Sequence, residues 1–284
     1  MEIKKVGVVG CGTMGSGIAI ASAWAGYETV VSEGSEELLK RGLDSISRWL
    51  SSRIEKGKLT EEDRSKIWRK IRGTIDLADM RDCQIVIEAA FENLALKKEI
   101  FKKLDQTCIP EAILASNTSC LSIIDIAAAT KRPEKIVGMH FFNPAQTMKL
   151  VEIVRSVVVS DETYKTAVTF AKSLGKETIT AKDVSGFIVN RLVFAYCLEA
   201  IRILEEGIGT IEDIDKGAML GLGFPMGPFT LTDFSGLDVS LDVANALYEE
   251  HKDRRFAPPI LLKKIVAAGY LGKKTGKGWY DYKK

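Results

Sequence analysis

From Lys4 to about Asp183 the chain alternates short apolar runs with longer stretches in which apolar residues return every three or four positions. The short runs, rich in Val and Ile, read as buried strands. They cover Lys5 to Val9, Glu28 to Ser32, Gln84 to Ala89, Ala112 to Ser116, Ile136 to Phe141, Lys149 to Val154 and Glu177 to Thr180. Helical patterns separate most of them, and this alternation predicts an α/β domain, doubly wound around a mostly parallel sheet. A long insertion follows the second strand. Leu39, Leu43, Ile46, Leu50 and Ile54 step by four or three along an amphipathic helix, and Thr60-Glu61-Glu62-Asp63 opens another, predicted to run to Ile71. Residues 35–71 therefore form a helical arm. From Ser185 the pattern is helical only, so the expected domains are 1–184 and an all-helical 185–284. Within the second, Phe187 to Leu198 is apolar almost all round except at Asn190 and Arg191. That predicts a helix buried on most faces, partly by a second copy of the chain, and hence a homodimer.

Composition narrows the class. A chain of 284 residues that is 46% hydrophobic can bury a sizeable core. A net charge of +2 from 40 basic and 38 acidic side chains creates no global field for nucleic acid. Five cysteines, Cys11, Cys83, Cys108, Cys120 and Cys197, form no CxxC pair, which suggests reduced thiols and no metal site. No basic leader followed by an apolar stretch opens the chain, and it contains no run of about 18 apolar residues. A cytoplasmic protein without a membrane span is expected.

Charge in the wrong place is the first chemical signal. His140, one of two histidines, lies in the apolar run Ile136 to Phe142, and Glu152 lies in a second, Leu150 to Val154. Burying either ionised group alone is costly, so two in neighbouring apolar strands are most cheaply explained by a hydrogen bond between them. Such a pair is suited to general acid/base work, because the carboxylate fixes the imidazole tautomer and stabilises the imidazolium. A satisfied core histidine beside an unrelated strand-end glutamate is the competing explanation. His251, among the charges of Tyr248 to Asp253, reads as an exposed helical residue with no catalytic part.

The second signal is Gly10-Cys11-Gly12-Thr13-Met14-Gly15, preceded by a strand, followed by a helix, and answered by a second strand ending at Glu33. In that setting Gly10 permits the tight turn, Gly12 lets backbone approach a pyrophosphate, and Gly15 lets helix and strand pack closely. The helix N-terminus favours the phosphates. Glu33, 18 residues past Gly15, suits ribose hydroxyls and repels a 2′-phosphate. NAD is expected rather than NADP, on a Rossmann-type domain.

Other residues carry two readings each. Asn190 is a polar anomaly in an apolar helix, either a structural hydrogen bond or part of a site. Ser119, after the fourth predicted strand, is either a helix N-cap or a ligand contact at the carboxyl edge of the sheet. Glu88, Glu92 and Lys97 sit in another strand-to-helix passage, where helix capping competes with cofactor contact.

Taken together, the segments GCGTMGSGIA, IEAAFEN, ASNTS, GMHFFNPA, LVEIV, DVSGFIVNR, PMGPFTLTDFSGLD and GKKTGKGWYDY, in this order, resemble the NAD-dependent L-3-hydroxyacyl-CoA dehydrogenases, stand-alone 3-hydroxybutyryl-CoA dehydrogenases above all. The resemblance spans the chain. It implies that His140 is the catalytic base and Glu152 its partner, with Ser119 and Asn190 completing the active constellation. It also implies NAD contacts at Glu33, Glu92, Lys97, Ser119, Asn143 and Lys274, the last of which otherwise reads as a solvated charge. Relatives often carry two lysines on the arm that meet the phosphates of the acyl-CoA substrate. Here Arg53 and Lys56 are the candidates, arginine offering a bidentate fork. A sugar-acid dehydrogenase of the gulonate-oxidising type on the same scaffold is one alternative, and a non-catalytic NAD-binding sensor is another.

Overall fold

A computed structural model describes residues 2–282. The chain divides into two compact units between Val184 and Ser185.

The first unit alternates strands and helices: β1 (Lys5–Val9), α1 (Thr13–Trp24), β2 (Glu28–Ser32), α2 (Glu36–Glu55), α3 (Glu61–Arg69), β3 (Ile71–Thr74), β4 (Ile85–Glu88), α4 (Leu94–Thr107), β5 (Ile113–Ser116), α5 (Ile123–Ala127), β6 (Ile136–Phe141), β7 (Leu150–Arg155), α6 (Asp161–Ser173) and β8 (Glu177–Lys182). One sheet holds them in the order β3-β2-β1-β4-β5-β6-β7-β8. Every neighbouring pair is parallel except β6 with β7, which is antiparallel. Chain order reverses direction across the sheet between β1 and β4, so the loops leaving these two strands diverge and open a crevice at their carboxyl ends.

Two expectations about the arm need correction. The second arm helix stops at Arg69, with Lys70 as its C-cap, and Ile71 belongs to β3, a strand that the apolar pattern does not announce. Ile71-Arg72-Gly73-Thr74 is short, half polar and at the sheet edge, so neither alternation nor an apolar run marks it. At Gly73 the fit is tight, since Leu39 and Leu43 of α2 pack within 3.0–3.1 Å of where a side chain would begin. The arm's apolar stripe thus faces the domain, with Ile46 and Leu50 fully buried. Polar caps set the arm's boundaries. Ser35 accepts from the Leu38 N–H at the start of α2, and Thr60 with Asp63 forms a reciprocal capping box on α3.

The second unit consists of α7 (Val189–Glu205), α8 (Ile211–Gly221), α9 (Pro228–Ser235), α10 (Leu237–His251) and α11 (Ile260–Ala267) around Phe229, Leu237, Ala244, Leu262 and Trp279. Two buried carboxylates tie it together. Asp215 accepts the Phe229 and Thr230 N–H groups at the start of α9, and Asp233 accepts those of Trp279 and Tyr280 in the tail. The expectation for α7 is only partly met within one chain. Cys197, Leu198 and Ile201 are buried, but Ile188 is part exposed and Leu192 is 68% exposed, and Asn190 is half-buried rather than enclosed. His251 is likewise not the free surface residue expected: its Nε2 lies 3.2 Å from the Ser185 carbonyl and its ring packs on Phe256. No helix among the described residues is long and apolar enough to cross a membrane.

Candidate active site and nucleotide clefts

Antiparallel pairing of β6 and β7 decides the first contact. Their register sets His140 directly opposite Glu152, so both side chains emerge on the same face of the sheet. The His140 Nδ1 lies 2.6 Å from the Glu152 Oε2. Glu152 is 0% and His140 6% exposed, so the bond is shielded from water. The short distance is that of a charge-assisted bond, and with Nδ1 turned to the carboxylate, Nε2 is the ring nitrogen that Glu152 does not engage. Phe142 packs against the imidazole at 4.5 Å between ring centroids.

A second buried ion pair lies two strands away. Glu88, the last residue of β4, accepts from Lys97 Nζ at 2.6 Å, from Ser116 Oγ at 2.7 Å and from the Ala90 N–H at 2.7 Å. Glu88 and Lys97 are 0% and 1% exposed. Lys97 also reaches Glu92, at 3.4 Å. Glu92 Oε1 in turn gathers the Thr118 hydroxyl at 2.6 Å, the Ser119 N–H at 2.9 Å and the Ser119 hydroxyl at 3.2 Å. These carboxylates are therefore more than helix caps: they staple the loop after β4 to the loop after β5. Ser119 itself is not an N-cap, because Ser122 caps α5.

The glycine loop follows β1, and each of its glycines answers a different demand. A side chain at Gly10, whose φ is +97°, would come within 2.6 Å of the Ala89 carbonyl oxygen, and one at Gly15 would overlap the Gly10 carbonyl. Gly12 is different: nothing lies within 4 Å of its missing side chain. No protein atom requires a glycine there, and the space beside the loop is open. Helix α1 has Gly12 as its N-cap and begins Thr13-Met14-Gly15-Ser16, without an acid, so its positive end stays open to an anion. Glu33 completes the cradle. Its Oε1 accepts the Cys11 N–H at 2.8 Å and its Oε2 the Gly34 N–H at 2.9 Å, which fixes the carboxylate while lone pairs remain for hydroxyl donors. Cys11, buried in the loop, has its thiol pushed up to about 11 by burial and is a packing residue.

Two clefts meet over this loop. The first, about 690 Å³, runs between the ends of β1, β2 and β4 and includes Gly10, Met14, Glu33, Ile75 and Ala89. The second, about 330 Å³, lies between α1, the arm and the loop after β6, and includes Arg41, Ser45, Trp49, Asn143 and Gln146. Arg41, Ser45 and Trp49 step by four along α2, a spacing legible in the sequence but not singled out there. Farther along the same helix, Arg53 stacks over Trp49 at 4.8 Å, and Lys56 is the exposed C-cap. Lys176, another residue that the sequence does not flag, is buried and donates to the carbonyls of Ala145 at 2.7 Å and Met148 at 2.8 Å, anchoring the loop that carries Asn143. Burial holds its ammonium pKa below the usual value.

Asn190 and Lys274 belong to the second unit. Asn190 is the second residue of α7. Lys274 is exposed and pairs with Asp238, its Nζ 2.5 Å from the Oδ2.

Comparison with known proteins agrees with this geometry. Residues 5–184 match the 3-hydroxyacyl-CoA dehydrogenase NAD-binding domain, and residues 186–282 match the C-terminal domain of the same family. The chain is 46% identical over 282 residues to a Mycobacterium tuberculosis protein named 3-hydroxybutyryl-CoA dehydrogenase, covering 99% of each. It is 40% identical to the mitochondrial hydroxyacyl-coenzyme A dehydrogenase of Sus scrofa, over 99% of this chain and 92% of that one. Among solved structures, M. tuberculosis FadB2 superposes with a TM-score of 0.98 at 45% identity, covering all of both chains. The (S)-3-hydroxybutyryl-CoA dehydrogenase PaaH1 of Ralstonia eutropha does so at 0.96 and 43%, again over both whole chains.

Proposed function

Because the chain belongs to the 3-hydroxyacyl-CoA dehydrogenase family, an NAD-dependent class of oxidoreductase, we propose that it interconverts 3-hydroxybutyryl-CoA and acetoacetyl-CoA, or a longer L-3-hydroxyacyl-CoA and its 3-oxoacyl-CoA. The observation that carries this reading is the buried His140–Glu152 hydrogen bond, an acid/base pair in the same domain as a dinucleotide cradle. NAD, when bound, supplies the acceptor and donor of hydride.

In the oxidative direction His140 Nε2 takes the proton of the 3-hydroxyl, and Glu152 stabilises the imidazolium so formed. In reduction Nε2 returns that proton. Ser119 hydrogen-bonds the reacting oxygen. Its present bond to Glu92, at 3.2 Å, is longer than the roughly 2.7–2.8 Å typical of hydroxyl donors, so exchanging it costs little. For Asn190 the family resemblance supplies the role of orienting the imidazole and the thioester carbonyl. The cofactor is held by Gly10, Gly12, Thr13, Met14 and Gly15 at its phosphates and by Glu33 at its ribose. Glu92, Lys97, Ser119 and Asn143 complete that shell, and the family resemblance adds Lys274 as a cofactor contact. Lys97, with its ammonium already engaged by Glu88, acts chiefly through the loop it anchors. Arg53 and Lys56 receive the CoA phosphates. Exposed apolar side chains on the helical unit, Leu192, Leu220 and Leu222 among them, support a homodimer built through that unit. Buried thiols without a disulfide fit a reducing, cytoplasmic compartment.

Loss of NADH absorbance on mixing with acetoacetyl-CoA tests the proposal. Turnover should exceed that on gulonate oxidation with NAD by orders of magnitude. Gulonate turnover with none on acetoacetyl-CoA would transfer the assignment to the sugar-acid dehydrogenases, and NAD binding without turnover on either would favour a sensor.

A further inference from the structure

Phe91 is the most exposed large aromatic side chain of the first unit, at 81%, yet it does not stand on a loose loop. The N–H of its predecessor Ala90 is held by the buried Glu88 carboxylate, and its own carbonyl accepts the Asn93 N–H at 2.8 Å. Asn93 then caps α4 by accepting the Leu96 N–H. The backbone is thus pinned on both sides while the ring is presented to solvent. Leaving an aromatic ring in water forfeits the stabilisation its burial would bring, so a fixed backbone that presents one is suited to a partner that arrives later. The ring's position says which partner. Phe91 lines both clefts, and the residues the clefts share with it are Gly12, Thr13, Glu33 and Leu38. All four belong to the dinucleotide cradle or its rim, and Leu38, on the arm, is also exposed, at 41%.

We propose that Phe91 is the coupling residue between the two clefts: its ring packs on bound dinucleotide and, so ordered, forms the wall against which an acyl thioester seats in the second cleft. The proposal rests on the reading that NAD fills the first cleft and reaches the Asn143 rim of the second, which takes the CoA substrate. Cooperativity follows from the geometry. The ring is ordered once, at the binding of the first ligand, and the second ligand meets a surface already in place. Linkage requires the coupling to be reciprocal.

Equilibrium binding tests this without turnover. NADH is titrated by its fluorescence, and acetoacetyl-CoA by calorimetry with and without saturating NAD⁺, a pair that cannot react together. In the wild type NAD⁺ should tighten acetoacetyl-CoA binding several-fold. In Phe91→Ala, NADH affinity should fall about tenfold, near the lower end of what one stacked base contributes, and the tightening by NAD⁺ should vanish. Phe91→Tyr should keep both. The ligand-free unfolding midpoint of Phe91→Ala should match the wild type, since the ring is exposed; a lowered midpoint would mean a structural ring and overturn the proposal. Unchanged NADH affinity, coupling that survives Phe91→Ala, or a wild type that binds the two ligands independently would each overturn it as well. A wild type that binds NADH but no acetoacetyl-CoA overturns the substrate reading instead. The NADH titration alone then decides whether Phe91 covers the dinucleotide.

Discussion

Two buried ion pairs sit on one sheet, Lys97–Glu88 beneath the loops after β4 and β5 and His140–Glu152 across β6 and β7, and they are built from the same electrostatic necessity. In each, a carboxylate fully removed from water is matched by a cationic or protonatable partner at 2.6 Å. The difference lies in the partner. The Lys97 ammonium is spent on a clamp, which Ser116, the Ala90 N–H and Glu92 extend. An imidazole has two ring nitrogens, so His140, held by Glu152 at Nδ1, is the member of the two pairs that fits the acid/base role proposed above. Burial of charge marks an important place in the fold without saying whether it is a joint or a tool; the partner side chain and its remaining contacts bear on which.

The largest expected effect tests the clamp. Lys97→Met strands the Glu88 carboxylate in the interior and should cost about 3–5 kcal/mol of stability, measured by denaturant unfolding. Adding Glu88→Gln should recover part of it. A stable Lys97→Met enzyme with impaired NADH binding would reverse the assignment and make Lys97 a ligand contact first.

Next comes the tool. His140→Gln should lower kcat by about a hundredfold or more, the usual scale for a general acid/base, while NADH affinity measured by fluorescence stays nearly constant. Wild-type kcat in that variant would reduce the pair to architecture.

The same contrast can be sharpened inside the glycine loop. Gly15→Ala should destabilise the fold by about 1–3 kcal/mol through overpacking on the Gly10 carbonyl. Gly12→Ala should fold normally, since its side chain meets no protein atom, but lose NADH affinity by about tenfold, roughly 1.4 kcal/mol. Equal unfolding midpoints and equal NADH affinities for the two variants would erase the distinction.

On the arm the effects are smaller. Arg53→Ala and Lys56→Ala should each raise KM for acetoacetyl-CoA about three- to fivefold at low salt, the scale of an exposed charge contact, with kcat largely kept. The penalty should shrink as salt rises and be absent for a thioester lacking the nucleotide.

The smallest effect concerns Lys176. Its folded pKa lies below the ordinary value of 10.5 because burial disfavours the charge, so the folded state releases its proton first as pH rises. Stability then increases from the lowered pKa up to about 10.5, because the unfolded chain binds more protons throughout that window. Wild-type stability relative to Lys176→Met should therefore improve on going from pH 7 to pH 10. A flat or falling difference would contradict the burial of a charged lysine against the loop that carries Asn143.

Local information in the sequence determined a good deal: strand and helix periodicity, the glycine loop between β1 and α1, Glu33 at the end of β2, and the presence of two ionisable groups in apolar strands. Each depends on residues near one another in the chain, where spacing and side-chain chemistry act directly on the backbone. Tertiary structure alone decided the rest. The antiparallel register that sets His140 opposite Glu152 depends on which strands become neighbours. The clamp of Lys97 on Glu88 and the anchoring of the 145–148 loop by Lys176 depend on side-chain reach across elements. Strand β3 exists because an edge and a neighbour, β2, were available to a segment too short and polar to announce itself. Gly10, Gly12 and Gly15 look alike in the sequence, and only the packed fold separates the two that the protein itself requires from the one whose missing side chain leaves room for a ligand.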